Sequence, residues 1–406
     1  MRDVLKPAFA AAALAAALII SACGGGGSSA ANGTLGVSVT DAPACGFDHV
    51  YITVSKVRAH QSGDPNVADN DPGWRDIVLS SPQRIDLLSL TNGLLTTLGQ
   101  TALPAGRYQQ MRLVLVPNGA GPAPYPNSVV PTGGAETALT TPSAIQSGIK
   151  LIHPFDIGAN TVYDVVLDFD ACRSVVATGH SGGYLLKPVI SVFPVVVSGV
   201  IEGWIDPALA AGTPVTVSAQ VFDGLNVSVV KTTVADPATG RFVLSPLLDS
   251  SLEPASYQLL ITAPNHATAQ VSSIQVATGA TVDVNTSAAP IGLDASPMST
   301  VSGTVSIGGS TTNVDAVVHA LQTFQGAAQG EVAFAAANMG DGSYSMALPS
   351  AAPKSAAFGG AGMPLVFSAV TASAGQYELL AVTGAGAQQA VPVSVSAGSV
   401  TQSFAF

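Results

Sequence analysis

TLGVSVT, residues 34–40, places Leu35, Val37 and Val39 on one side of an extended chain and small or hydroxyl-bearing residues on the other. This period of two is typical of a half-buried β-strand. Further strand patterns follow along the first half of the chain, in VYITV at 50–54, MRLVLV at 111–116, VVLDFD at 165–170 and the segment 184–192. The patterns predict a first folded unit of several strands over residues 34–195.

The composition extends this prediction to the whole chain. Among 406 residues there are 42 Gly and 27 Pro, and 47% of the residues are apolar. Gly and Pro interrupt nearly every stretch and leave little room for long helices, whereas Val and Thr are favoured in strands. The sequence therefore predicts an all-β protein. Its net charge of −11 argues against nucleic acid as a partner, because phosphate binding needs basic patches.

Residues 1–22 have the features of a secretory signal, namely Arg2 and Lys6, an apolar run, and small residues before Cys23. A cysteine at the cut resembles a bacterial lipobox. The resemblance implies removal of the signal, acylation of Cys23, and anchoring in the cell envelope, at the outer membrane of a Gram-negative bacterium. The alternative is a membrane-spanning anchor, which needs about 20 apolar residues, more than this run offers. Residues 23–33 are rich in Gly and Ser and predict a flexible tether.

The two remaining cysteines, Cys45 and Cys172, form an even pair in a chain predicted to be exported. In an oxidising compartment a disulfide between them is expected. Two buried free thiols are the alternative. A metal site is disfavoured because the sequence has no CxxC motif or His/Cys cluster, and no cofactor is expected.

Residues 196–406 contain two copies of one pattern. VSGVIEGWI at 197–205 corresponds to VSGTVSIGG at 301–309, and ASYQLLIT at 255–262 corresponds to GQYELLAV at 375–382. Corresponding segments follow each other in the same order, which is typical of duplicated domains.

The second copy is longer by a Pro- and Gly-rich insertion, APKSAAFGGAGMP at 352–364. We expect two β-sandwich domains, over residues 196–288 and 289–406. A segment rich in Ala, Ser and Pro at 287–300 is expected to be the linker between them.

Two resemblances to known families agree with this organisation. GTLGVSVTDAP at 33–43, LPAGRYQQMRLVLV at 103–116 and VLDFDACRSVV at 166–176 are similar to the DUF4382 family of bacterial lipoproteins, over about residues 33–192. That family's function is undescribed, so the resemblance implies no catalytic residue. The V-x-G and G-x-F/Y motifs of the two repeats resemble carboxypeptidase regulatory-like domains, whose fold group includes carbohydrate-binding relatives. Together they imply an N-terminal β-sandwich-like domain followed by two tandem transthyretin-like or Ig-like sandwiches.

One motif points to catalysis. GHSGG at 179–183 matches the G-x-S-x-G nucleophile elbow of hydrolases. The elbow requires a strand that turns into a helix, whereas the segment that follows here, 184–190, has a strand pattern. A Gly-rich hairpin turn is therefore the favoured interpretation, and Ser181 is rejected as a catalytic nucleophile.

A second motif points to calcium, through four oxygen-bearing side chains in one loop: Asp64, Asn66, Asp69 and Asp71. Oxygen ligands suit Ca²⁺. The spacing departs from that of an EF-hand and no Glu closes the cage, so a solvated loop is favoured and no metal is predicted.

Asp168 and Asp170 lie on the same face of one predicted strand. Paired carboxyl groups can act as general acid and base. The favoured interpretation is a polar outer face of the strand, in which these side chains pair with Lys187 or Arg112.

These observations predict an envelope-anchored lipoprotein that acts as a non-catalytic binding, adhesion or structural module. Its expected partners are the membrane, reached through the lipid, and a glycan or another envelope protein, bound by loops. The alternative is a hydrolase of envelope or extracellular polymers that uses the turn at 179–183.

Overall fold

A computed structural model of the chain describes residues 32–41, 46–119, 123–142, 147–179, 182–252 and 256–406. The fold is all-β, as predicted, with 55% of residues in strands and 6% in helices. The buried apolar side chains form three clusters. We name three units after these clusters: unit 1 is residues 32–197, unit 2 is residues 198–297, and unit 3 is residues 298–406.

Unit 1 contains two sheets packed around one core. Its strands and helix are β1 (Asn32–Asp41), β2 (Phe47–His60), β3 (Arg75–Asp86), β4 (Thr96–Pro104), β5 (Gly106–Tyr108), β6 (Gln110–Leu115), β7 (Ser128–Pro131), β8 (Thr137–Thr140), β9 (Ile149–Leu151), β10 (Phe155–Ile157), β11 (Val162–Phe169), α1 (Ala171–Ser174), β12 (Val175–Ala177), β13 (Tyr184–Leu186) and β14 (Ile190–Pro194). The first sheet has the order β14-β11-β1-β4. The second has the order β12-β13-β8-β7-β2-β6-β9, with β3 also paired to β2, and β5 and β10 form a separate pair.

The alternation of residues 34–40 is confirmed, because its three apolar side chains are at most 1% exposed. The strand starts earlier than predicted, at Asn32, inside the segment 23–33 that the sequence indicated as a tether. Gly33 explains this start. A Cβ at that position would lie 2.2 Å from the carbonyl oxygen of Gly158, so the chain is already packed closely there.

Units 2 and 3 repeat one strand order. Unit 2 contains β15 (Ser198–Trp204), α2 (Pro207–Gly212), β16 (Thr216–Phe222), β17 (Val227–Val234), β18 (Arg241–Leu248), β19 (Tyr257–Thr262), β20 (Ala269–Ile274) and β21 (Thr281–Asp283). Unit 3 contains β22 (Met298–Ser306), β23 (Ala316–Thr323), β24 (Gln329–Ala336), β25 (Ser343–Pro349), β26 (Lys354–Ala357), β27 (Ser368–Ala369), β28 (Gln376–Thr383), β29 (Gln388–Ser394), β30 (Val400–Thr401) and β31 (Phe404–Ala405). Four 3₁₀ helices complete the described elements: Leu87–Ser89, Val195–Val197, Gln325–Ala327 and Thr371–Ser373.

The repetition is visible in both sheets of each unit. The smaller sheet has the order β18-β15-β21 in unit 2 and β25-β22-β30 in unit 3, where β31 also pairs with β22. The larger sheet begins with β17-β16-β19-β20 in unit 2 and has the order β24-β23-β28-β29 in unit 3. This correspondence is what the repeated sequence pattern would produce.

One segment of unit 3 extends the larger sheet of unit 2. β26 pairs in parallel with β20, beginning at Ala269 opposite Lys354, and β27 pairs with β26. We call residues 354–369 the strap. Three strap side chains pack against the unit 2 core: Phe358, Leu365 and Phe367. The insertion predicted at 352–364 therefore belongs to unit 2 by packing, although chain order places it in unit 3.

The segment predicted as a linker, 287–300, is tied to unit 2. Ile291 is 2% exposed, and its N–H donates to the carbonyl of Trp204 at 2.9 Å. Further along, the N–H of Ala267 donates to the carbonyl of Asp294 at 2.8 Å. Ile291 and Leu293 pack on the unit 2 core, so this segment is docked on unit 2 by apolar side chains and backbone hydrogen bonds.

Candidate functional site at the junction of the three units

The three units meet around Glu331, on β24. Its side chain is 8% exposed; it accepts a hydrogen bond from Arg173 of unit 1 and lies 2.7 Å from Nδ1 of His319. Unit 2 contributes Gln220, whose side-chain amide donates to the Glu331 carbonyl and accepts from the Glu331 N–H, both at 2.8 Å. One glutamine thus occupies the place of a neighbouring strand at the edge of β24.

Helix α1 positions Arg173 for this contact. The Asp170 side chain caps the helix by accepting the N–H of Arg173 at 3.0 Å, and its second oxygen lies 3.2 Å from Arg173 Nε. The same guanidinium lies 4.6 Å from the ring centre of Phe334. Burial raises the pKa of the Asp170 carboxyl, and the charge of Arg173 offsets this effect only in part.

Asp168, on β11, faces unit 2 rather than solvent. Its carboxylate is 6% exposed and lies 2.7 Å from Nζ of Lys231, which is 2% exposed. The two atoms are not aligned for a hydrogen bond, and neither has a hydrogen-bond partner in the part of the chain that the structure describes. The predicted outer face paired with Lys187 or Arg112 is wrong, because unit 2 covers this face of β11. Lys187 instead contacts Asp315 of unit 3.

A cavity of about 470 Å³ lies beside these charged groups. All three units line it, through α1 and β12 of unit 1, β16 and β17 of unit 2, and β24 of unit 3. Its charged lining residues are Asp170, Arg173 and Glu331, and its aromatic lining residues are Phe47, Tyr184 and Phe334. The cavity thus offers apolar walls with a few buried polar groups, as ligand sites commonly do.

A second cavity, of about 480 Å³, lies between units 1 and 3. It shares Arg173, Val176 and Ala336 with the first cavity. The two cavities therefore adjoin at these three residues.

The loop predicted as a calcium candidate is held by side chains of the protein itself. Arg112, which is 1% exposed, lies 2.7 Å from a carboxylate oxygen of Asp69, and Nε2 of His60 lies 3.1 Å from Asp71. A hydrogen bond from the Gly73 N–H is the main reason that the pKa of Asp71 is lowered.

The other two candidates in this loop, Asp64 and Asn66, contact each other, because the Asp64 carboxylate accepts the N–H of Asn66 at 2.8 Å. Trp74 closes the loop, with the guanidinium groups of Arg58 and Arg112 at 4.9 and 4.3 Å from its ring centre. In the described ranges, no group of three or more His, Cys, Asp or Glu side chains is placed to hold a metal ion.

Three predicted residues lie outside the described part of the chain: Cys23, Cys45 and Ser181. Cys172 is described; it lines the 470 Å³ cavity and is disulfide-bonded. Because Cys45 is not described, the pairing of these two cysteines stays a prediction. No helix within the described ranges is long and apolar enough to cross a membrane.

Sequence patterns did not indicate the residues that join the units. Glu331 and Arg173 are 158 positions apart, and only the fold brings them together. A weak signal was available, because only 10% of residues are charged and Lys231 and Glu331 lie within strand patterns. A charged residue in such a strand is costly to bury unless it has a partner.

Part of unit 1 has a recognised family. Residues 32–188 match DUF4382, a domain of unknown function. The resemblance that the sequence predicted for this region is therefore confirmed. The match covers less than half of the chain, and it assigns neither a reaction nor a ligand. No curated protein sequence matches the chain.

Solved structures that resemble the chain share little sequence with it. The Bacillus anthracis TIE protein is 10% identical, with 93% of this chain and 50% of that chain covered and a TM-score of 0.18. BcpA, the major pilin subunit of Bacillus cereus, is 8% identical, with 92% of this chain and 99% of BcpA covered and a TM-score of 0.16. This chain spans half the length of the TIE protein. Scores this low carry no argument about function.

Proposed function

We propose that this chain is an envelope-anchored, non-catalytic module that holds three β-sandwich units together and binds a partner at their junction. The observation that carries the proposal is the position of the buried charges. The Glu331 carboxylate contacts Arg173 across one interface, and the Glu331 backbone bonds to Gln220 across another. Lys231 contacts Asp168 across a third. These groups hold the units together around a cavity that all three units line.

The use of the carboxylates supports a non-catalytic role. Asp168 is enclosed with Lys231, and Asp170 caps α1 and contacts Arg173. A general acid or base must come within hydrogen-bond reach of the reacting atom. Both carboxylates are instead occupied by the protein, so the acid–base alternative receives no support from their geometry.

Attachment to the envelope through Cys23 is the second part of the proposal. Its support is the sequence of residues 1–22 and the cysteine that follows. A single acyl chain binds membranes only marginally, whereas two signals anchor stably, so a multiply acylated Cys23 would hold the chain in place. The partner would then be a glycan or a protein of the same envelope, reached by the units beyond the short segment 24–31.

Replacement of Cys23 tests the anchor directly. The Cys23→Ser chain should be lost from the membrane fraction after a carbonate wash, because it lacks the sulfur that carries the lipid. The matched control is Ser28→Ala, in the same segment, which should remain with the membranes. A Cys23→Ser chain that still sediments with washed membranes would show that the anchor lies elsewhere.

A further inference from the structure

The cavity of about 470 Å³ lies between the edges of two sheets. Six consecutive residues of β24, 331–336, and all three residues of β12 line it. A strand that turns one face to a cavity contributes alternate residues, so the cavity meets both strands edge-on. β12 is the last strand of one sheet of unit 1, and β24 is the last strand of the larger sheet of unit 3. We call the space between them the crevice.

The pairing of β12 shows which of its backbone groups face the crevice. The N–H of Thr178 donates to the carbonyl of Gly183 at 2.9 Å, on the side of β13. Successive residues of an antiparallel strand direct their backbone groups to opposite sides, so Ala177 directs its N–H and carbonyl away from β13. The Ala177 carbonyl already accepts the N–H of Met339, from unit 3, at 3.3 Å. The N–H of Val175, the other residue that faces away from β13, donates to the Ala171 carbonyl. The groups of this edge that remain for a partner strand are therefore the Val175 carbonyl and the Ala177 N–H.

The same reasoning applies to β24. The N–H of Ala337 donates to the carbonyl of Ala316 at 2.9 Å, on the side of β23. By alternation, Ala336 directs its N–H away from β23. Gln220 occupies the backbone groups of Glu331 at the other end, so the open part of this edge lies over residues 333–336.

We propose that the crevice accepts an extended segment of a partner polypeptide, which adds as a strand to the edges of β12 and β24. Unpaired sheet edges are templates for another chain, and strand addition is a recurrent mode of peptide recognition. The proposal rests on the binding role proposed above and names the class of partner.

The charges of the crevice indicate the chemistry of that segment. Two carboxylates, Asp170 and Glu331, line the crevice with one guanidinium, Arg173, and the whole chain has a net charge of −11. A basic side chain on the partner would complement this excess. The other lining groups are mainly small apolar or hydroxyl-bearing side chains and aromatic rings. The partner segment should therefore alternate apolar and hydroxyl-bearing β-branched residues, such as valine and threonine, and carry one Lys or Arg.

A labelled peptide tests this inference on the full-length chain purified in detergent. The probe is a fluorescein-labelled octapeptide of alternating valine and threonine with one central lysine. We expect a saturable rise in anisotropy. Ala336→Pro should weaken binding about tenfold or more, because proline lacks the N–H and its ring blocks pairing. Ala336→Val is the matched control; it keeps the N–H and should retain binding.

A second probe keeps the test valid if Ala336→Pro does not fold. The same peptide with N-methyl groups on all of its central amides cannot donate to either sheet edge and should not bind the unaltered protein. Equal binding of the two peptides, or no saturable binding of the first, would overturn the proposal. Absence of peptide binding would not contradict the proposed envelope anchor, because the Cys23→Ser fractionation tests the anchor separately.

Discussion

Single charged residues determine how the units of this protein are joined. Glu331 is 8% exposed, and its carboxylate contacts Arg173 and His319. A buried ion pair contributes little net stability compared with apolar packing, but removing one partner is costly, because the other charge remains buried. Such residues are therefore better understood as determinants of which surfaces meet than as sources of stability.

Glu331→Gln removes this charge and keeps the shape of the side chain. The substitution should lower the free energy of unfolding by about 3 kcal/mol, the lower end for a broken buried pair, because Arg173 still contacts Asp170. Urea unfolding measures the change. Glu378→Gln, on β28 of the same sheet, is the control and should change stability by less than about 0.5 kcal/mol. Equal effects at the two positions would contradict the role given to Glu331.

The GHSGG motif at 179–183, predicted to be a turn, leads to a prediction about activity. The purified chain should not hydrolyse a generic acyl ester, and Ser181→Ala should change nothing. A nucleophilic serine needs a base within hydrogen-bond reach, and the two candidate acids, Asp168 and Asp170, contact Lys231 and Arg173. Hydrolysis that disappears in Ser181→Ala but persists in Ser191→Ala would restore the hydrolase alternative.

Among the elements, the strap is the one whose packing departs most from chain order. It belongs to unit 3 in sequence, yet β26 pairs with β20 of unit 2 and its apolar side chains pack on the unit 2 core. Without the strap, β20 would be an open edge of that sheet. The strap therefore both covers an edge and joins two units.

A proline in the strap tests this pairing. Ala356→Pro, opposite Val271 in the register, should speed amide hydrogen exchange along β20, because proline disrupts the ladder between the strands. Ala361→Ser, at an exposed position of the same strap, should leave exchange in β20 unchanged. Faster exchange confined to residues 354–369 would mean that the strap does not protect unit 2.

Individual strands could be predicted from sequence because their signal is local. The three apolar residues of 34–40 occupy alternate positions, because alternate side chains of the strand face the core. The strap has no such signal, since KSAA at Lys354–Ala357 contains two alanines and no bulky apolar residue. Its strand exists because β20 offers an edge, and that edge arises only in the folded chain.

The junction illustrates the same limit for the candidate site. Asp168 alternates with buried residues in VVLDFD, so the pattern correctly placed it on the opposite face of its strand. The pattern could not show that Lys231, from another unit, covers that face. Sequence patterns distinguish inward from outward positions within a strand, but they do not identify outward positions that a second unit buries.

For the whole molecule, the contacts between units predict how the chain unfolds. Separation of unit 2 would leave Lys231 and Asp168 without their contact and would remove Gln220 from the edge of β24. It would also break the pairing between β20 and β26. Each loss separates an ion pair or breaks hydrogen bonds that the assembled chain makes, so the units should unfold together.

Scanning calorimetry of the full-length chain in detergent measures this coupling most directly. We predict one transition for the unaltered protein, with equal calorimetric and van't Hoff enthalpies, and we predict that Glu331→Gln will broaden or divide it. Separate transitions for the units in the unaltered protein, at temperatures that Glu331→Gln does not change, would contradict the claim that buried charges at the junction hold the three units together.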